Sequence, residues 1–167
     1  MRERQGSVLD RLFPRQADND FDGQRAALWL LGLLIALKLV VSVNSIFNTE
    51  SVAAGADGIP LDSFGPAAAS EVLTLFALNA MGQLALALIG LTLLIRYRAL
   101  VPFMFLIALG EQIARRLIVQ SHAVMRTEIT AIAWYVVYGF LALTAIGLVL
   151  SLIPRRKRET MSSATEA

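Results

Sequence analysis

The chain has 167 residues, 56% of them hydrophobic and 17% charged, with a formal charge of +2 and a mean hydropathy of +0.62, well to the apolar side of a soluble domain of this length. It contains no cysteine and one histidine, which excludes disulfides, thiolate metal sites, iron–sulfur ligation, dithiol redox chemistry and a bis-histidine haem held by this chain alone. Its basic residues gather at the two ends, including Arg2, Arg4, Arg11, Arg15 and Arg25 at the front and Arg155, Arg156, Lys157 and Arg158 at the back. That distribution suits anionic lipid headgroups and lacks the groove of cations with stacking aromatics that grips nucleic acid.

Residues 1–24 read as a polar cytoplasmic leader. Val8, Leu9, Leu12 and Phe13 share one helical face, so either a short interfacial helix ending at Pro14 or an unstructured leader is expected. Asp18, Asp20 and Asp22 read as a solvated linker, because a calcium loop needs a bidentate Glu at its twelfth position and none arrives. No metal site is expected.

The first span is predicted over residues 25–47, long enough at 1.5 Å per residue for a hydrocarbon core of about 30 Å. It is too long for a signal-peptide core and is read as retained. Lys38, with Ser42 and Ser45 at i+4 and i+7, forms a polar stripe that must face other helices. The outer loop, residues 49–64, has no Lys or Arg, carries Glu50, Asp57 and Asp62, and is punctuated by Asp57-Gly58 and Pro60; a compact cap is expected there. Pro66 can open the second span, 66–96, where its missing N–H does no harm. Asn79 and Gln83 sit at i and i+4 on that span.

A short connection makes the third span, 99–120, antiparallel to the second. It carries Glu111, Arg115 and Arg116 inside an apolar run. Thr127 is a candidate N-cap for the fourth span, 128–153, and Pro154 with the basic cluster stops it, leaving residues 154–167 as a basic and then disordered tail. The expected fold class is all-α, a four-transmembrane-helix bundle with N- and C-termini cytoplasmic, since Lys and Arg concentrate on the side of the termini and the Arg96/Arg98 turn. Arg115, Arg116 and Arg126 run against that rule. The outline resembles, in a general way, small four-helix proteins of the bacterial cytoplasmic (inner) membrane, which is the expected location.

Counting along spans one and three places Lys38 and Glu111 at one level, roughly 18 to 20 Å from the cytoplasmic face. Asn79 and Tyr138 reach nearly the same depth. The candidate intramembrane polar cluster is therefore Lys38, Asn79, Gln83, Glu111, Arg115 and Tyr138. One reading is a buried ion pair that fixes which helix faces meet, its neighbours satisfying the remaining hydrogen bonds. The other is a wet cavity for a proton, ion or small polar ligand, with Glu111 titrating. The first is preferred, because a matched pair at equal depth already accounts for these residues.

Arg115 and Arg116 are expected to snorkel toward the outer headgroups, and with Arg126 they form a candidate anion or lipid-headgroup contact. No Ser-His-Asp or Cys-His set is visible, so catalysis and cofactors are not expected. Met81, Met104 and Met125 read as packing. The expected role is a non-catalytic scaffold, accessory subunit or lipid-interacting protein, with membrane lipids and a membrane-protein partner or homo-oligomer as its contacts. The alternative is a transporter or proton-coupled small-ligand binding protein working through Lys38 and Glu111.

Overall fold

The computed structural model describes residues 8–122 and 131–154, so the expected contributions of Arg126, Thr127 and the tail lie outside the described residues. The fold is all-helical. A short helix α1 (Val8–Leu12) precedes α2 (Arg25–Phe47); α3 (Thr49–Ser51) runs into a π-helical turn (Val52–Ala56) and a 3-10 turn (Leu61–Ser63). Then come α4 (Pro66–Arg96), a 3-10 turn (Arg98–Leu100), α5 (Val101–Ser121) and α6 (Ala131–Leu152).

Local chemistry sets several of these boundaries. Gly65 is extended ahead of Pro66, which occupies the first turn of α4, and Pro102 does the same in α5, where a residue without an N–H loses no helical bond. The side chain of Asn48, just past α2, donates to that of Asn44 at 2.7 Å. Hydroxyls in the helix interiors turn back on their own helices, Thr74 onto the Ser70 carbonyl and Thr92 onto that of Leu88, so they are satisfied without a partner helix.

Three helical segments are long and apolar enough to cross a membrane: Arg25–Phe47, Pro66–Arg96 and Tyr135–Leu152, with hydropathies of 2.4, 2.0 and 2.1. Only 11% of the most apolar window of α4 is buried by the rest of the protein, leaving Leu75, Leu78, Leu88 and Ile89 exposed. Apolar surface of that extent marks a membrane protein. α5 carries Glu111, Arg115 and Arg116 and is not one of the three.

α2 packs along α4 and next most against α6, α6 packs in turn along α5, and α4 and α5 are in light contact. The core lies at the end that holds the α4–α5 turn and the last residues of α6. There Ala27, Leu31, Leu34 and Ile35 of α2 meet Val101, Met104, Phe105 and Ala108 of α5. Two close approaches define this end: a methyl group at Gly147 would overlap the ring of Phe105, and one at Gly90 would come within 3.0 Å of Met104. Toward the far end, α5 from Gly110 and α6 before Thr144 have no fully buried residue among those described. α5 and α6 are thus closely packed at one end and open at the other, while Ser42 and Ser45 of α2 stay buried toward the far end.

Residues 8–24 are part of the closed end. Arg11 Nη1 donates to the Leu152 carbonyl at 2.6 Å, the Gln24 side chain donates to the Pro154 carbonyl at 3.3 Å, and the Gln24 N–H donates to Leu150 at 3.1 Å. These bonds occupy carbonyls that the end of α6 leaves open. Phe13 packs on Phe103 with ring centroids 5.5 Å apart, while Val8 and Leu9 stay exposed. α1 thus docks on the helix ends through Arg11 and Phe13 and keeps part of its apolar face outward.

The Gly147 contact yields a test. Gly147→Ala is expected to destabilise the protein by about 1–3 kcal/mol through overpacking against Phe105. Gly82→Ala adds a methyl with nothing within 4 Å and is expected to stabilise by about 0.5–1 kcal/mol. Thermal unfolding in mild detergent separates the two, and equal midpoints would show that α5 and α6 do not meet at this point.

Candidate functional site

Where the core ends, polar side chains from α2, α4 and α5 converge. Lys38 Nζ donates to Gln83 Oε1 at 2.6 Å and to Glu111 Oε2 at 3.1 Å. Gln83 Nε2 donates to Glu111 Oε1 at 2.9 Å, closing a three-membered ring of side chains across three helices. The same Oε1 accepts from Arg115 Nε at 3.0 Å and Arg115 Nη2 at 2.9 Å. Arg115 also reaches Asn79 Oδ1 at 3.4 Å. Both oxygens of Glu111 are engaged, and its two cationic partners differ in exposure: the Lys38 side chain is 12% exposed and that of Arg115 is 45% exposed.

A second polar link leaves α5 on its adjacent face. Gln112 Nε2 donates to Thr144 Oγ1 at 2.8 Å, and Thr144, which is fully buried, donates to the Phe140 carbonyl at 2.7 Å. Neighbouring residues of one helix thus fasten it in two directions, Glu111 to α2 and α4 and Gln112 to α6. Gln112 and Thr144 were not expected as a pair. A polar residue at mid-span is a visible signal, but Thr144 lies in an apolar run where a hydroxyl bonded to its own helix is the ordinary case.

Arg116 and Tyr138 form a third arrangement. The Arg116 guanidinium carbon lies 4.7 Å from the centroid of the Tyr138 ring, a cation–π distance. One terminal nitrogen of Arg116, Nη2, is buried with no hydrogen-bond partner among the described residues. Tyr138 is 54% exposed and meets Arg116, in place of the expected convergence with Lys38 and Glu111. Arg115 folds back onto Glu111 instead of extending toward headgroups.

These groups border a cleft of about 250 Å³ between the parted helices, room for about eight waters. Lys38, Gln83, Glu111 and Gln112 line it beside the core. Arg115 and Arg116 lie one turn farther out, and Val41, Val136, Val137 and Phe140 supply apolar walls. Lys38, Arg115 and Arg116 face one carboxylate, so the lining carries an excess of positive charge. Among the described residues no three His, Cys, Asp or Glu side chains come together as metal ligands. His122 lies at the end of α5 with Nδ1 2.9 Å from the Ile118 carbonyl.

No protein-family model, curated protein or solved structure matches the chain. Function is therefore read from the site and its surroundings.

The ionic ring predicts an order of effects. Glu111→Gln leaves Lys38 and Arg115 facing one another without an anion, and removing one partner of a buried ion pair costs about 3–5 kcal/mol; the exposure of Arg115 places the expected loss near the lower end. Lys38→Met leaves Glu111 with Arg115 as counter-ion and is expected to cost about half as much. Unfolding midpoints and folded yield in detergent give the order, and a milder effect for Glu111→Gln would contradict this geometry.

Proposed function

We propose that this chain is a four-span, non-catalytic protein of the bacterial cytoplasmic membrane that interacts with lipids and serves as a scaffold or accessory subunit. α2, α4, α5 and α6 are the spans, and both termini are cytoplasmic. The observation that carries the reading is the division of α5 into two faces. Glu111, Gln112, Arg115 and Arg116 turn toward the other helices and the cleft, while Ile113, Leu117 and Ile118 are exposed. A helix that turns its charged side chains toward its neighbours and a cleft and presents isoleucine and leucine outward meets the conditions for crossing a bilayer. The basic residues Arg25, Arg96 and Arg98 lie at the closed end and the 49–63 loop has no Lys or Arg, which supports a cytoplasmic closed end.

The engagement of both Glu111 oxygens supports a fastening role for the ionic ring, and the exposed apolar helices supply the surface for lipids or a partner. A second reading, carriage of a proton or small polar ligand, is favoured by one observation: the cleft reaches Lys38 and Glu111 together. Proton flux into liposomes containing the protein, lost in Glu111→Gln, would support that reading. No flux above protein-free liposomes is the expected outcome.

Because the chain has no cysteine, single cysteines test topology without background. Ser63→Cys is expected to react with a membrane-impermeant maleimide in intact spheroplasts, and Ser163→Cys only after lysis. Ile118→Cys is expected to be protected from the reagent until detergent is added. Labelling of Ser163→Cys in intact spheroplasts would overturn the orientation, and rapid labelling of Ile118→Cys would remove α5 from the bilayer.

A further inference from the structure

The cleft has a charge imbalance that the ionic ring leaves unused. Lys38 and Arg115 are matched to Glu111, whereas Arg116 has no carboxylate partner among the described ion pairs. Its guanidinium face is covered by Tyr138, which leaves the in-plane N–H groups as its means of binding. One terminal nitrogen is buried without an acceptor, in a side chain that lines the cleft. A planar cation with an in-plane donor left unpartnered is matched by the oxygens of a phosphate, which can accept two parallel hydrogen bonds. The walls beside it are apolar: Val41, Val136 and Val137 line the cleft and are themselves exposed.

We propose that Arg116 is the anchor of a binding site for the phosphate headgroup of an anionic phospholipid, with Arg115 at its edge and the acyl chains lying over Val41, Val136 and Val137. Charge and apolar surface together select this occupant. The excess positive charge calls for an anion, and the exposed valines of the cleft wall call for one with hydrocarbon attached. Tyr138 holds the guanidinium in place, so Arg116 is already oriented when the headgroup arrives. The inference rests on the lipid-interacting reading above and adds to it a position and a headgroup chemistry.

The test uses the full-length protein in mild detergent, incubated with phosphatidylglycerol or with phosphatidylcholine, and native mass spectrometry of the retained lipid. The wild-type protein is expected to hold phosphatidylglycerol in preference to phosphatidylcholine. Arg116→Gln is expected to lower that retention by roughly tenfold to a hundredfold, the range for loss of a charged hydrogen bond. Arg98→Gln, at the α4–α5 turn, is expected to leave it unchanged, and the unfolding midpoint of each variant checks that it is folded. Retention of phosphatidylglycerol that Arg116→Gln does not alter would overturn the site while leaving the lipid-interacting reading in place. Failure to retain either lipid would overturn both. Arg116-dependent stabilisation by inorganic phosphate, with no lipid retained, would identify a soluble anion and overturn the lipid assignment.

Discussion

The arrangement of the helices depends on the carboxylate of Glu111. Past the core formed with Val101, Met104, Phe105 and Ala108, α5 is in light contact with α2 and α4, and long side chains bridge the space there. Lys38, Gln83 and Arg115 all end on the two oxygens of Glu111. Hydrocarbon gives apolar helices little drive to associate, and each interhelical hydrogen bond adds only about 0.6 to 2 kcal/mol. On the four-span topology proposed above, each charged residue at the centre of a span costs about 2.5–3.5 kcal/mol to insert. The ring is thus held together more by the penalty for leaving its members alone than by the strength of any one bond.

The ring also marks where one kind of packing gives way to another. On one side, Phe105 lies against the backbone at Gly147, and Gly90 lets Met104 and Ile35 approach, leaving no room for added side-chain volume. On the other, Val136 and Val137 of α6 and Val41 of α2 are exposed, and the helices enclose a cleft. Close packing resists displacement because every shift opens a void or makes a clash. Residues above the ring have fewer such neighbours, so the far end has the greater freedom to admit a ligand.

Much of this was legible because a helix is a ruler. A rise of 1.5 Å per residue converts sequence position into depth, and it put Lys38 and Glu111 at one level; in the structure their charged atoms are 3.1 Å apart. Depth says nothing about rotation around the helix axis. Tyr138 has a matching depth but faces Arg116, and Gln112 finds Thr144 on the adjacent face. Both outcomes depend on how α6 is turned, which its nearly uniform apolar sequence does not encode. The parted end is hidden for the same reason, since a valine facing a cleft and a valine facing lipid read alike. The docking of the leader left no trace because Arg11 and Gln24 bind backbone carbonyls, which every residue possesses.

That docking has a temporal side. Arg11 and Leu152 are 141 positions apart, and a contact between such distant segments waits until the intervening chain has been organised. During synthesis Arg11 is made long before Leu152 and has nothing to grip until α6 exists. The clasp therefore closes only once α6 has taken its place beside α2.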